Sequence, residues 1–150
     1  MCNWPIAELL PHAGEMILID AVESFDEEQV HTRLTVRVGL FSSADGSLPA
    51  WVGVELMAQS IAAYAGCQSR LIGKPVQLGF LLGTRAFRCN VEAFPLGAEL
   101  KIHAQRSLQD DNGMGVFDCR LSGPGIDAEA RLSVFSPPQV ASYLHEPERP

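Results

Sequence analysis

Between Gln29 and Val38 the chain alternates with period two. Val30, Thr32, Leu34, Val36 and Val38 fall on one face, and His31, Arg33, Thr35 and Arg37 on the other. The pattern predicts a strand with one side packed and the other wet. Met16–Phe25, rich in Ile, Leu and Val, predicts another strand, and the short polar link Asp26-Glu27-Glu28 joins the two as a hairpin. Upstream, residues 5–10 predict a short turn of helix ended by Pro11. Further strands are expected at about Gln77–Val91, Glu99–Leu108, Gly115–Ser122 and Ala128–Ser136. Turn chemistry separates them at Pro95-Leu96-Gly97, Asp110-Asp111-Asn112-Gly113 and Gly123-Pro124-Gly125.

Trp51–Leu71 reads differently. It is apolar nearly all round, is rich in small residues (Ala58, Ala62, Ala63, Ala65, Gly66), and stops at Gly73-Lys74-Pro75, which predicts the one long helix. A helix apolar on every side has to be surrounded. A run of antiparallel strands curled round it does this, so the expected fold class is α+β. Residues 39–50, with their glycines, serines and Pro49, form a loop. The 150 residues suffice for one domain, with a core over about 9–136 and a loosely held polar tail over 137–150.

Composition narrows the functions. With 11 basic and 18 acidic side chains the net charge is −7, the wrong sign for a nucleic-acid binder. Cys2, Cys67, Cys89 and Cys119 are too widely spaced for a metal-ligand pair and read as free thiols of a reducing compartment. Residues 1–11 carry Glu8 and no Lys or Arg, unlike a signal peptide. The weakly charged run Gly46–Ser69 contains Pro49, Gln59 and Gln68, unlike a membrane span. The expected location is the cytoplasm.

That run holds a single charge, Glu55. A carboxylate on such a helix is costly to bury unless paired or protonated, although a place near the helix start is also favoured by the macrodipole. Gln59 lies one turn on, on the same face, able to orient the carboxyl or to satisfy a buried backbone group. Backbone amides from Ala50 to Gly53, at the helix N-terminus, are candidate donors to a substrate oxygen.

Several segments, in order, resemble the hot-dog-fold 3-hydroxyacyl-acyl-carrier-protein dehydratases. They are Leu10-Pro11-His12 with Met16-Ile17-Leu18-Ile19-Asp20-Ala21-Val22, Leu48-Pro49 with Val54-Glu55-Leu56-Met57-Ala58-Gln59, and Gly83-Thr84-Arg85-Ala86-Phe87-Arg88 with Pro95-Leu96-Gly97-Ala98-Glu99-Leu100. The stretch 49–59 further resembles a divergent dehydratase branch linked to aryl-polyene synthesis in bacteria. The resemblance implies an antiparallel sheet wrapped around a central helix, and loss of water from a 3-hydroxyacyl thioester to give the enoyl thioester. The substrate would ride on the phosphopantetheine of an acyl carrier protein, with no cofactor of the enzyme's own and no metal.

By the same resemblance Glu55 is the acid, Ala50 and Gly53 lie where amides face the thioester oxygen, and Arg85 and Arg88 face the acidic carrier protein. The family's histidine, supplied across a dimer interface from the loop before the helix, is missing: Gly39-Leu40-Phe41 occupies that place, and Ala50 replaces a glycine. His12, the one histidine on a matched motif, is the candidate replacement base, since imidazole exchanges protons near neutral pH. A homo-oligomer is implied, or a mixed dimer in which another dehydratase subunit supplies the histidine. The alternatives are a hot-dog thioesterase and a catalytically silent acyl-binding subunit.

Overall fold

The computed structural model of the chain describes residues 2–76 and 79–136. A six-stranded antiparallel sheet forms the wall. Its strands are β1 (Ala21–Phe25), β2 (Gln29–Thr35), β4 (Phe80–Cys89), β6 (Glu99–Gln109), β7 (Met114–Gly123) and β8 (Ile126–Phe135), in spatial order β1-β2-β6-β7-β8-β4. A second sheet has two residues per strand, β3 (Leu48–Pro49) and β5 (Ala93–Phe94), and pins the loop that feeds the helix. Helix α1 (Val52–Leu71) runs along the inner face of the larger sheet.

The alternation in β2 does what its pattern demands. Val30, Thr32 and Leu34 are buried, and the intervening side chains stay nearer solvent. Their partners on the neighbouring strands are Leu100, Ile102 and Ala104 of β6 and Phe117, Cys119 and Leu121 of β7. Leu56, Met57, Ile61 and Cys67 of α1 close the core. One polar pair sits inside it: Thr32 Oγ1 and Ser60 Oγ are 2.7 Å apart, and Ser60 Oγ donates to the Leu56 carbonyl at 2.9 Å. Each hydroxyl has a partner, so the pair is tolerated. Gly66 lets the helix lie against the opening segment, because a Cβ there would collide with the Leu9 carbonyl.

Three boundaries depart from the pattern. Met16–Phe25 is not one strand: pairing with β2 starts at Asp20, whose N–H donates to the Arg33 carbonyl at 2.9 Å, and residues 14–16 form a 3-10 turn. The β2 ladder stops at Thr35 rather than Val38, since Val36 instead exchanges backbone hydrogen bonds with Gly97 and Ala98. The short sheet of β3 and β5 has no periodicity to announce it. The remaining strands and the helix lie within a few residues of expectation. Positions 77–78 of the expected strand and the tail from 137 onward lie outside the described residues.

The wall does not cover the helix completely. Glu55, Ala58, Ala62 and Ala65 form a partly exposed stripe on α1. The edge strand β4 carries Phe80 at 50% exposure, with Leu81 and Leu82 similarly open. Among the described residues no helix is long and apolar enough to cross a membrane.

Candidate active site

Glu55 sits in the first turn of α1 and is the helix's one carboxylate. Its side chain is about a third exposed, at 33%. Gln59, four residues on, is fully buried and donates through Nε2 to Glu55 Oε2 at 3.0 Å. The same amide group donates to the Met16 carbonyl at 2.6 Å, while its Oε1 accepts from the Leu18 N–H at 2.8 Å. A side-chain amide has the donor and acceptor of a peptide group. Gln59 therefore stands in for a neighbouring strand at residues 16 and 18, which is why the apolar run there needs no β partner. Of the two roles open to Gln59 in the sequence, it fills both.

The segment so clamped carries His12 to the same place. His12 Nε2 lies 3.7 Å from Glu55 Oε2, and its Nδ1 is buried without a hydrogen-bond partner among the described residues. The structure thus joins three residues from two distant parts of the chain: His12, Glu55 and Gln59. The spacing of Glu55 and Gln59 was visible in the sequence. The approach of His12 was signalled only by the matched motif.

The amides expected to face a thioester oxygen are spent elsewhere. Ala50 N–H donates to the Glu92 carbonyl at 3.0 Å, and Gly53 N–H to the Ala50 carbonyl at 2.9 Å. The first of these bonds follows from the short sheet of β3 and β5, which places Glu92 beside Ala50. At this helix end the donors left without a backbone acceptor among the described residues are those of Trp51 and Val52, which sequence reasoning did not separate from their neighbours.

Arg85 and Arg88 are not brought to Glu55. A bulge in β4, with Ala86 at φ +54°, breaks the alternation that would put residues three apart on opposite faces. Both arginines turn to the outer face, where Arg88 pairs with Glu129, a carboxylate shared with Arg120. Arg85 lies opposite Arg131 in the ladder and lines an outer-face cavity with it and Glu129. Phe87, between the two, faces inward against Gly53.

Leu40, where the resemblance implies a histidine, is 55% exposed. With Ile17, Leu18, Val38 and Phe41 it lines a cavity of about 320 Å³. His31 and His103 stack face to face on the outer side, centroids 4.4 Å apart, away from this site. Partial burial of His103, with the His31 imidazole alongside, pushes its pKa below the ordinary value.

Comparisons with known proteins bear on the fold and the family. A search of curated protein sequences returns no significant match. Among solved structures, the dehydratase heterocomplex ApeI:P from Xenorhabdus doucetiae contains a chain 32% identical to this one. The alignment covers 97% of this chain and 100% of that chain, with a TM-score of 0.85. A hypothetical thioesterase with coenzyme A from Streptococcus pneumoniae TIGR4 aligns at 15% identity over 77% of this chain and 86% of its own, TM-score 0.59. The PaaI protein of the E. coli phenylacetic acid degradation operon aligns at 18% over 79% and 78%, TM-score 0.58. These last two share the hot-dog fold. The model of the ApeP-like family, described as ApeP dehydratase, matches residues 4–145. The sheet wrapped on one helix and nearly the whole length of the chain thus agree, and the protein belongs to the ApeP-like dehydratase family.

Proposed function

We propose that the chain dehydrates 3-hydroxyacyl thioesters carried on the phosphopantetheine of an acyl carrier protein, in aryl-polyene-type synthesis, with Glu55 as the general acid. The observation that carries this reading is the held carboxyl: one carboxylate on the central helix, gripped through a single oxygen by the buried Gln59, on a stripe the sheet leaves open. A base removes the proton next to the thioester carbonyl, and that electron pair becomes the new carbon–carbon double bond. The C3–O bond breaks, and the Glu55 proton completes the leaving water. Amides at the start of α1, with the helix dipole behind them, suit the charge that grows on the carbonyl oxygen.

The base is assigned to a second hot-dog subunit. Two observations favour a mixed complex: Leu40 replaces the family's loop histidine in this chain, and the similar Xenorhabdus chain belongs to a heterocomplex of dehydratases. The open β4 edge with Phe80, Leu81 and Leu82 suits such a neighbour. Arg85 at that edge is the group proposed to meet the acidic carrier.

The test is to incubate the protein, alone and with a histidine-bearing hot-dog dehydratase subunit, with 3-hydroxyacyl and plain acyl carrier-protein thioesters. Enoyl product is expected from the first substrate, and more of it with the second subunit present. Release of free carrier thiol from either substrate would indicate a thioesterase. Binding without product under both conditions would indicate a silent acyl-binding subunit.

A further inference from the structure

The two ring nitrogens of His12 have opposite surroundings. Nε2 faces Glu55 Oε2 at 3.7 Å, and Nδ1 is buried with no partner among the described residues. A neutral imidazole carries one proton on one nitrogen, and an imidazolium carries one on each. A proton on Nδ1 would be a buried N–H with nothing to accept it, a state that native interiors rarely hold. Both the Nδ1–H tautomer and the imidazolium suffer this, whereas the Nε2–H tautomer leaves only an unpaired lone pair there, which interiors tolerate better than an orphaned N–H.

We infer that His12 carries its single proton on Nε2, directed at the Glu55 carboxyl, and works as a positioning residue rather than as the base. To accept a proton at Nε2 the ring would need either to become the imidazolium or to shift its proton to Nδ1, and both routes lead to the unpartnered site. Gln59 Nε2 bonds Glu55 Oε2, and His12 Nε2 faces the same oxygen from 3.7 Å, just beyond direct hydrogen-bond reach. With Oε2 bonded by Gln59 and faced by His12, Oε1 is left as the oxygen for proton exchange with substrate. The α-proton must then go to another group, in keeping with a second subunit.

The role assigned to His12 rests on the dehydratase reading, whereas the tautomer itself does not. Two measurements test them separately. In protein labelled with 15N-histidine, at a pH where the ring is neutral, Nε2 is expected in the N–H range and Nδ1 in the lone-pair range. His12→Gln identifies the signal by its disappearance. The reverse pattern, or two protonated nitrogens, would overturn the inference.

The second measurement is turnover of a 3-hydroxyacyl carrier-protein thioester by His12→Gln and His12→Leu, each with the second subunit present. A glutamine amide donates a hydrogen bond but cannot take up a proton. His12→Gln is expected within about tenfold of wild type and at least about tenfold above His12→Leu, the scale of one hydrogen bond to a charged group. Equal, deep losses in both variants would make His12 the base. A wild-type protein without any turnover would count against the dehydratase reading, and the 15N pattern would still decide the tautomer.

Discussion

Replacing Gln59 with Leu isolates the clamp that builds the site. The two side chains are close in size, so the change is chiefly polar. It strands the Leu18 N–H and the Met16 carbonyl, bonded in the native chain at 2.8 and 2.6 Å. An unsatisfied buried group costs about 1–3 kcal/mol. These two are only part-buried and partly rescued by water, so the lower half of that range applies, about 2–4 kcal/mol together. Leucine at a fully buried position returns about 1 kcal/mol through apolar burial. The net loss is then about 1–3 kcal/mol, which in a chain of this length lowers Tm by roughly 2–12 °C. The assay is thermal and urea unfolding followed by circular dichroism, with Glu55→Gln as the control. That control alters a partly exposed group and should stay within about 1 kcal/mol of wild type. A Gln59→Leu protein melting with the wild type would show that the 16–18 backbone finds its partners elsewhere, and the account of the site's construction would fail.

Other expectations follow from the same geometry. Glu55→Gln should keep the fold and lose about two to four orders of magnitude in turnover, read in a single-turnover assay with carrier-bound substrate; near-native rates would remove Glu55 from the chemistry. Arg85→Glu should weaken use of carrier-bound substrate more than of a small thioester mimic, with the difference fading as salt rises; equal losses would place Arg85 in folding. Arg88→Glu should also cost stability, because it sets a second carboxylate against Glu129. Burial pushes the Cys67 and Cys119 thiols up to about 12 from an ordinary 9.0. Folded-state values that are raised give a contribution complete below pH 9 and lost as pH climbs toward 12. Unfolding free energy should therefore fall across that window, and less so in Cys119→Ala; an unchanged slope would mean that the thiol titrates alike in both states.

The local patterns were sufficient for the elements and for the way they layer. Period-two alternation over Gln29–Val38 named the strand and its buried face, because pleating sends successive side chains to opposite sides whatever the rest of the fold does. The nearly all-apolar stretch Trp51–Leu71 required a wrapping sheet, because a helix without a polar face has no stable exposure to water. Glu55 stood out for the same reason, and Gln59 with it, because helical spacing places them on one face.

What the sequence left open depends on which backbone and side-chain groups meet across long separations. Met16–Leu18 reads as strand by composition, yet the Met16 carbonyl and the Leu18 N–H bond a glutamine more than 40 positions away, and composition does not reveal a partner. Ala50 and Gly53 looked like free donors until Glu92 and a tight first turn used them. Arg85 and Arg88 share a face only because of a bulge at Ala86, a register shift set by pairing with β8. His12 was one of four histidines of equal chemistry in the sequence. Packing alone put one of its nitrogens 3.7 Å from a carboxylate and buried the other without a partner among the described residues. Residue type sets what a group can donate or accept, and the tertiary structure decides what is there to receive it.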